Sequence, residues 1–137
     1  MNQPNHRGNI VGLDVGDARI GVARAHTIAK IPEPLKPINH DENFTANLSK
    51  LLQEQSTSTV VVGIPRNMSG QETEQSRKIR TFIDGVKQKL TNVNFVFVDE
   101  SLSSKRADEY MKTNGTNASQ DSISACYILQ EYFTINL

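Results

Sequence analysis

The run TVVVGIP at 59–65 constrains this chain more than any other stretch. Its β-branched residues follow one another without polar alternation, so a strand built from them must be covered on both faces. A second run, NFVFV at 94–98, has the same character and ends in an acid pair, Asp99 and Glu100. Between the two, Ile79, Ile83, Val86 and Leu90 recur at helical spacing. That helix is expected to start from a capping box at Ser69 and Glu72 and to run to about Leu90. Strand, helix and strand in that order imply a βαβ unit, hence a sheet that is partly parallel.

The first third of the chain has a different pattern. Residues 9–15 and 19–25 read as strands around a short Gly16-Asp17-Ala18 turn, a β-hairpin. Pro32, Pro34 and Pro37 confine the next segment to an extended edge or a loop. Phe44, Leu48, Leu51 and Leu52 then mark a helix over 41–55. Beyond 100, SSKRADEYMKT reads as a short helix, NGTNASQ as a polar loop and 121–133 as a final amphipathic helix. The order β-β-β-α-β-α-β-α-α describes one α/β domain over 9–137, a mixed sheet flanked by helices behind a polar tail at 1–8.

Composition narrows the function classes. With 15 basic and 15 acidic residues the chain is formally neutral. Such a balance argues against coating nucleic acid without specificity, although it leaves room for a local basic groove. Cys126 stands alone in an apolar helical pattern, so it reads as a small buried hydrophobe in a reducing, cytoplasmic compartment. His6, His26 and His40 lie in separate contexts with no zinc spacing. No run approaches membrane-spanning length, and no membrane partner is expected.

Three acids stand out by position. Asp14 interrupts the first apolar strand, Glu100 follows Asp99 at the end of another, and Asp121 opens the last helix. In a sheet whose first strand neighbours the later parallel strands, all three can converge. Gathered carboxylates repel one another and require a counter-charge. Mg²⁺ or Mn²⁺, which prefer oxygen ligands, would supply it and would suit phosphodiester hydrolysis. Each acid also has a plainer reading: Asp14 as a turn acceptor, Glu100 or Asp99 as a solvated strand end, Asp121 as a helix-dipole partner.

At this point the chain resembles a known group. GLDVGDARIGVA (12–23) is similar to the opening motif of the YqgF/RuvX family, matched at Asp14, Gly16, Arg19 and Gly21. VVVGIPRNMSGQETEQS (60–76), VFVDESLSS (96–104) and DSISACYILQEY (121–132) resemble its later motifs, in the same order. The resemblance implies a ribonuclease H-like fold with a five-stranded mixed sheet. It also implies a catalytic and metal-binding trio of Asp14, Glu100 and Asp121, selecting Glu100 over Asp99. The activity implied is Mg²⁺-dependent nuclease action at the 5′ end of precursor 16S ribosomal RNA, with Holliday junction resolution as the alternative. Junction resolution would require two active sites and hence a homodimer.

Two departures from the family pattern remove positive charge where a nucleic acid would lie. Ser101 stands where the family commonly has Arg, and residues 113–120 lack the usual Lys and Arg. Fewer phosphate contacts weaken binding and flatten its salt dependence. The remaining candidates for nucleic-acid contact are Arg19, Arg66, Ser103, Lys105 and Arg106. Two rival classes are an ATP-binding sugar-kinase or actin-like domain and a non-catalytic, ribosome-associated nucleic-acid-binding module. The first needs two lobes around the nucleotide, and this chain has a single Asp-x-Gly hairpin.

Overall fold

The computed structural model describes residues 8–66, 69–99 and 120–135. The short helix expected within 103–113, the polar loop after it and residues 1–7 lie outside the described residues. Five strands form one sheet: β1 (Asn9–Val15), β2 (Arg19–His26), β3 (Glu33–Asn39), β4 (Thr59–Ile64) and β5 (Asn94–Asp99). Their spatial order is β3-β2-β1-β4-β5. The first three strands pair antiparallel, whereas β4 runs parallel to β1 and to β5. The proline-bearing β3 lies at an edge, where a missing N–H leaves no gap in a ladder.

Side-chain alternation divides the core into two layers. Val11, Leu13, Val15, Val60, Val62, Ile64 and Phe95 face helices α1 (Phe44–Glu54) and α2 (Glu74–Lys89). Those helices bury Phe44, Leu48 and Leu52, and Ile79, Ile83 and Val86, the stripes expected from their spacing. On the opposite face Ile10, Ala23, Ala25, Val61 and Val98 pack on α3 (Gln120–Ile135). Both faces of β4 are therefore covered, as its unbroken apolar run requires.

Expectation and structure differ at helix starts. The Ser69/Glu72 pattern does not cap α2: the N-cap is Thr73, whose hydroxyl accepts from Ser76 N at 3.1 Å while Thr73 N donates to Ser76 Oγ at 2.8 Å. Glu72 instead accepts a hydrogen bond from Arg80 Nε at 2.9 Å and forms an ion pair with Arg66 at 3.6 Å. A Ser-x-x-Glu pattern one turn upstream of Thr-x-x-Ser is outcompeted because Glu72 gains more from two guanidinium groups than from a single backbone N–H. The first helix likewise starts at Phe44 rather than at 41, since Asp41 closes a turn by accepting from Asn43 N.

Helix α3 is less amphipathic than expected, with Ser122 and Ser124 buried beside Ile123, Ala125, Ile128 and Leu129. It comes close to the sheet because β1 and β2 offer it small residues. A Cβ on Gly12 would fall 2.7 Å from Leu129 Cγ. Cys126 lies in this interface, and burial pushes its thiol up to about 12, with a smaller push from the charge of Glu33. The neutral thiol is the form the fold favours. Its stabilising contribution is present below the ordinary value of 9.0 and is lost as pH rises towards 12. A thiol reagent at pH 8 is therefore expected to label Cys126 in urea and leave it unmodified in native buffer. Rapid native labelling would contradict this packing.

Candidate functional site

The end of β1 is held by three short contacts. Gly16 N donates to Arg19 O at 3.1 Å, closing the β1–β2 turn. His40 clamps that turn from β3's end: its backbone N donates to Ala18 O at 3.0 Å and its Nδ1 donates to Gly16 O at 2.6 Å. A side chain at 16 would meet Arg19 O at 2.6 Å, so glycine is required there by backbone rather than by ligand. Asp14 is thus carried on a strand whose end is pinned by β2 and by the residue after β3.

Asp14 pairs directly with Gly21 across the hairpin. Opposed residues of an antiparallel pair point to the same face, and for this pair it is the face covered by α3. The space that a Gly21 side chain would fill holds the first turn of α3. A Cβ there would lie 2.0 Å from Asp121 O and 2.8 Å from Ser122 N. Residues 14 and 121, distant in sequence, are therefore neighbours through a missing side chain. Arg19 Nε sits 3.4 Å from Asp121 Oδ2, with the two side chains 63% and 36% exposed. An ion pair that open to water contributes at most about 1 kcal/mol, so little holds Arg19 there.

Ser122 anchors the helix start and was invisible to pattern reading. The β2–β3 ladder shifts register between Ile20 and Val22. Ser122 Oγ fills the break, accepting from Val22 N at 3.2 Å and donating to Leu35 O at 2.6 Å. A serine in the first turn of a helix gives no sequence signal for partners 87 and 100 residues away. Ser122→Ala would strand both backbone groups in a buried position. The expected cost is about 1–3 kcal/mol for each group left without water, read as a lower urea midpoint. An unchanged midpoint would mean that the helix start is held by something else.

Asp99 belongs to a different cluster. It occupies the β5 end level with Ile64 and shares the α2 face with Phe95 and Phe97. Its Oδ1 accepts from Arg66 Nε at 2.7 Å, and Arg66 also reaches Glu72 at 3.6 Å. The hydrogen bond to Asp99 pushes the Arg66 guanidinium pKa up. Arg66, a candidate for nucleic-acid contact, is engaged within the protein and three-quarters buried. Arg80 and Lys87, which share α2 with the exposed Arg77, lie over the Phe97 ring. Glu100, Ser103, Lys105 and Arg106 lie outside the described residues. Among the described residues no group of three His, Cys, Asp or Glu gathers closely enough to hold a metal ion. Asp14 and Asp121 offer oxygen donors only, a chemistry that fits a hard divalent cation. No described helix is long and apolar enough to cross a membrane.

Comparison with known proteins bears on this arrangement. Residues 8–135 match a family model described as "RuvX: Holliday junction resolvase". A protein from Fusobacterium nucleatum is 35% identical over 89% of this chain and 94% of its own length, and one from Sulfurihydrogenibium is 34% identical over 90% and 88%. Both carry the name "Putative pre-16S rRNA nuclease". Among solved structures, Thermus thermophilus RuvC with a Holliday junction substrate superposes with a TM-score of 0.60 at 12% identity, covering 94% of this chain and 95% of RuvC. The fowlpox virus resolvase with junction DNA gives 0.57 at 14% identity, covering 94% and 99%. At such identities the likeness concerns the fold, which is ribonuclease H-like, as the motifs imply.

Proposed function

The chain belongs to the RuvX family, and from that premise we propose that it is a divalent-metal-dependent endonuclease acting on precursor 16S rRNA. The observation supporting this reading is the seating of Asp121 on Gly21, directly across the hairpin from Asp14. Two acids held by rigid elements on one face of a sheet repel each other, and the fold gains nothing from that repulsion unless a cation is to be bound. Glu100 is the third acid in this reading. Within β5, Val98 packs on the α3 face while Asp99 shares the opposite face with Phe95 and Phe97, so Asp99 does not join Asp14.

Mg²⁺ or Mn²⁺ held by Asp14, Glu100 and Asp121 would neutralise the phosphodiester and lower the pKa of the attacking water. The chain's own residues do the rest. β1 and the His40-clamped turn fix the Asp14 carboxylate, and Ser122 fixes the backbone that carries Asp121. Arg19, leaving its exposed pair with Asp121, can donate to a non-bridging phosphate oxygen. Ser103, Lys105 and Arg106 would extend that contact along the strand.

The family description and the structural neighbours support a second reading, cleavage of branched DNA, which would call for two active sites and hence a homodimer. One experiment separates the two: precursor 16S rRNA and a four-way DNA junction are incubated with the protein in Mg²⁺ and in EDTA. The rRNA is expected to be cut in Mg²⁺ alone. Cleavage of the junction but not the RNA would reverse the substrate assignment, and cleavage unaffected by EDTA would remove the metal from the account.

A further inference from the structure

On the face of β1 opposite α3, at the same end of the sheet as Asp14, lies a cavity of about 240 Å³. Val15, Ile79 and Phe82 form its apolar walls, and Gln75, Lys78 and the Gly16-Asp17 turn contribute its polar rim. We propose that this cavity receives a single base of the nucleic-acid substrate, splayed from the strand whose phosphodiester lies at the Asp14 face. The proposal rests on the nuclease reading and adds a specificity-determining subsite to it.

Size is the first support. The volume falls below the roughly 300–1,000 Å³ of pockets for larger organic ligands and suits one planar ring system. Ring chemistry is the second. His40 also lines the cavity, and its ring lies 4.3 Å from that of Phe82, centroid to centroid, tilted by 42°. Phe82 is in turn fixed against Phe44 at 5.3 Å. Such rings are what splayed bases stack upon.

Polar chemistry is the third support. Because His40 Nδ1 donates to Gly16 O, Nε2 is the acceptor of the neutral imidazole. The Gln75 amide supplies a donor and an acceptor, and the Asp17 carboxylate accepts. A base edge presents donors and acceptors together and needs such a mixed set. A phosphate does not: the lining carries one acid, Asp17, and one base, Lys78, beside apolar walls that give an anion nothing. Position is the fourth. Val15 follows Asp14 in β1, so their side chains leave opposite faces of the strand, and a nucleotide straddling the β1–β2 turn would reach both.

The test is an abasic scan. Single-stranded RNA of about 12 nucleotides, fluorescently labelled, is titrated with the full chain in EDTA so that cleavage does not interfere. In the wild type one abasic position is expected to weaken binding by about tenfold, the loss of one stacked base. With His40→Ala, and with Gln75→Ala on the exposed face of α2, the same abasic position should cost less than about twofold. Gln75→Ala disturbs no buried contact, so it carries the test if His40→Ala loosens the turn. A flat scan with intact RNA still bound overturns the cavity proposal alone, as does an abasic penalty that both variants retain. Adenosine or uridine monophosphate binding as tightly as the RNA would reassign the cavity to free nucleotides and also overturn it. Failure of any RNA or junction DNA to bind, in EDTA and in Mg²⁺ alike, would overturn the nuclease reading itself.

Discussion

Asp14→Asn is expected to lower cleavage of precursor rRNA by more than about 100-fold while leaving the fold intact. Substitutions that merely orient a metal's ligands commonly cost about 10–100-fold in affinity or activity, and Asp14 in this account is a ligand. The substitution keeps the shape of a half-buried side chain on a clamped strand and removes one of the charges that repel Asp121. The wild type should unfold at a higher temperature when Mg²⁺ is added, because a ligand of the native state stabilises it by mass action. The variant should lose that increment along with activity. Undiminished cleavage by Asp14→Asn would remove the carboxylate from the mechanism.

Gly21→Ala is the second large effect. Its Cβ would stand 2.0 Å from a backbone carbonyl of α3, a contact relieved only if the helix start retreats. Overpacking costs about 1–3 kcal/mol and occasionally more. Here the obstruction is backbone, anchored by Ser122 in the β2–β3 break, so about 3 kcal/mol is expected. Gly12→Ala is the natural comparison. Its Cβ would meet the Leu129 side chain at 2.7 Å and the Ala125 carbonyl only at 3.0 Å, so its loss should be smaller. Urea unfolding of the two variants measures the difference. Where Gly21→Ala still folds, its cleavage should fall too, because Asp121 moves with the helix. A Gly21→Ala protein as stable and active as wild type would contradict the seating of α3 described above.

These two residues also show how far the chain could be read from its letters. The acid in the first strand announced itself, because a carboxylate in an apolar β-branched context has few inexpensive explanations. The strands and the stripes of α1 and α2 were equally legible, since each rests on a local period. Gly21 is legible as a motif glycine, but which backbone approaches it depends on a helix 100 residues away. The Ser122 bridge, the His40 clamp and the Arg66–Asp99 pair share that character. Each joins segments whose proximity follows from sheet order rather than from any local pattern. The Ser69/Glu72 box shows the converse, a sound local motif overruled because Arg66 and Arg80 claimed its glutamate. The motif resemblance supplied what periodicity could not, namely the choice of Glu100 over Asp99. The engagement of Asp99 with Arg66 on the opposite face is in keeping with that choice.

The central claim is that Asp14, Glu100 and Asp121 together hold a divalent cation at the end of β1. Crystals grown with Mn²⁺ and measured for its anomalous scattering test it most directly. The account predicts an anomalous peak bound by carboxylate oxygens of all three residues, with Arg19 withdrawn from Asp121. The absence of a peak there, or a Mn²⁺ ion held elsewhere while Arg19 still pairs with Asp121, would contradict it.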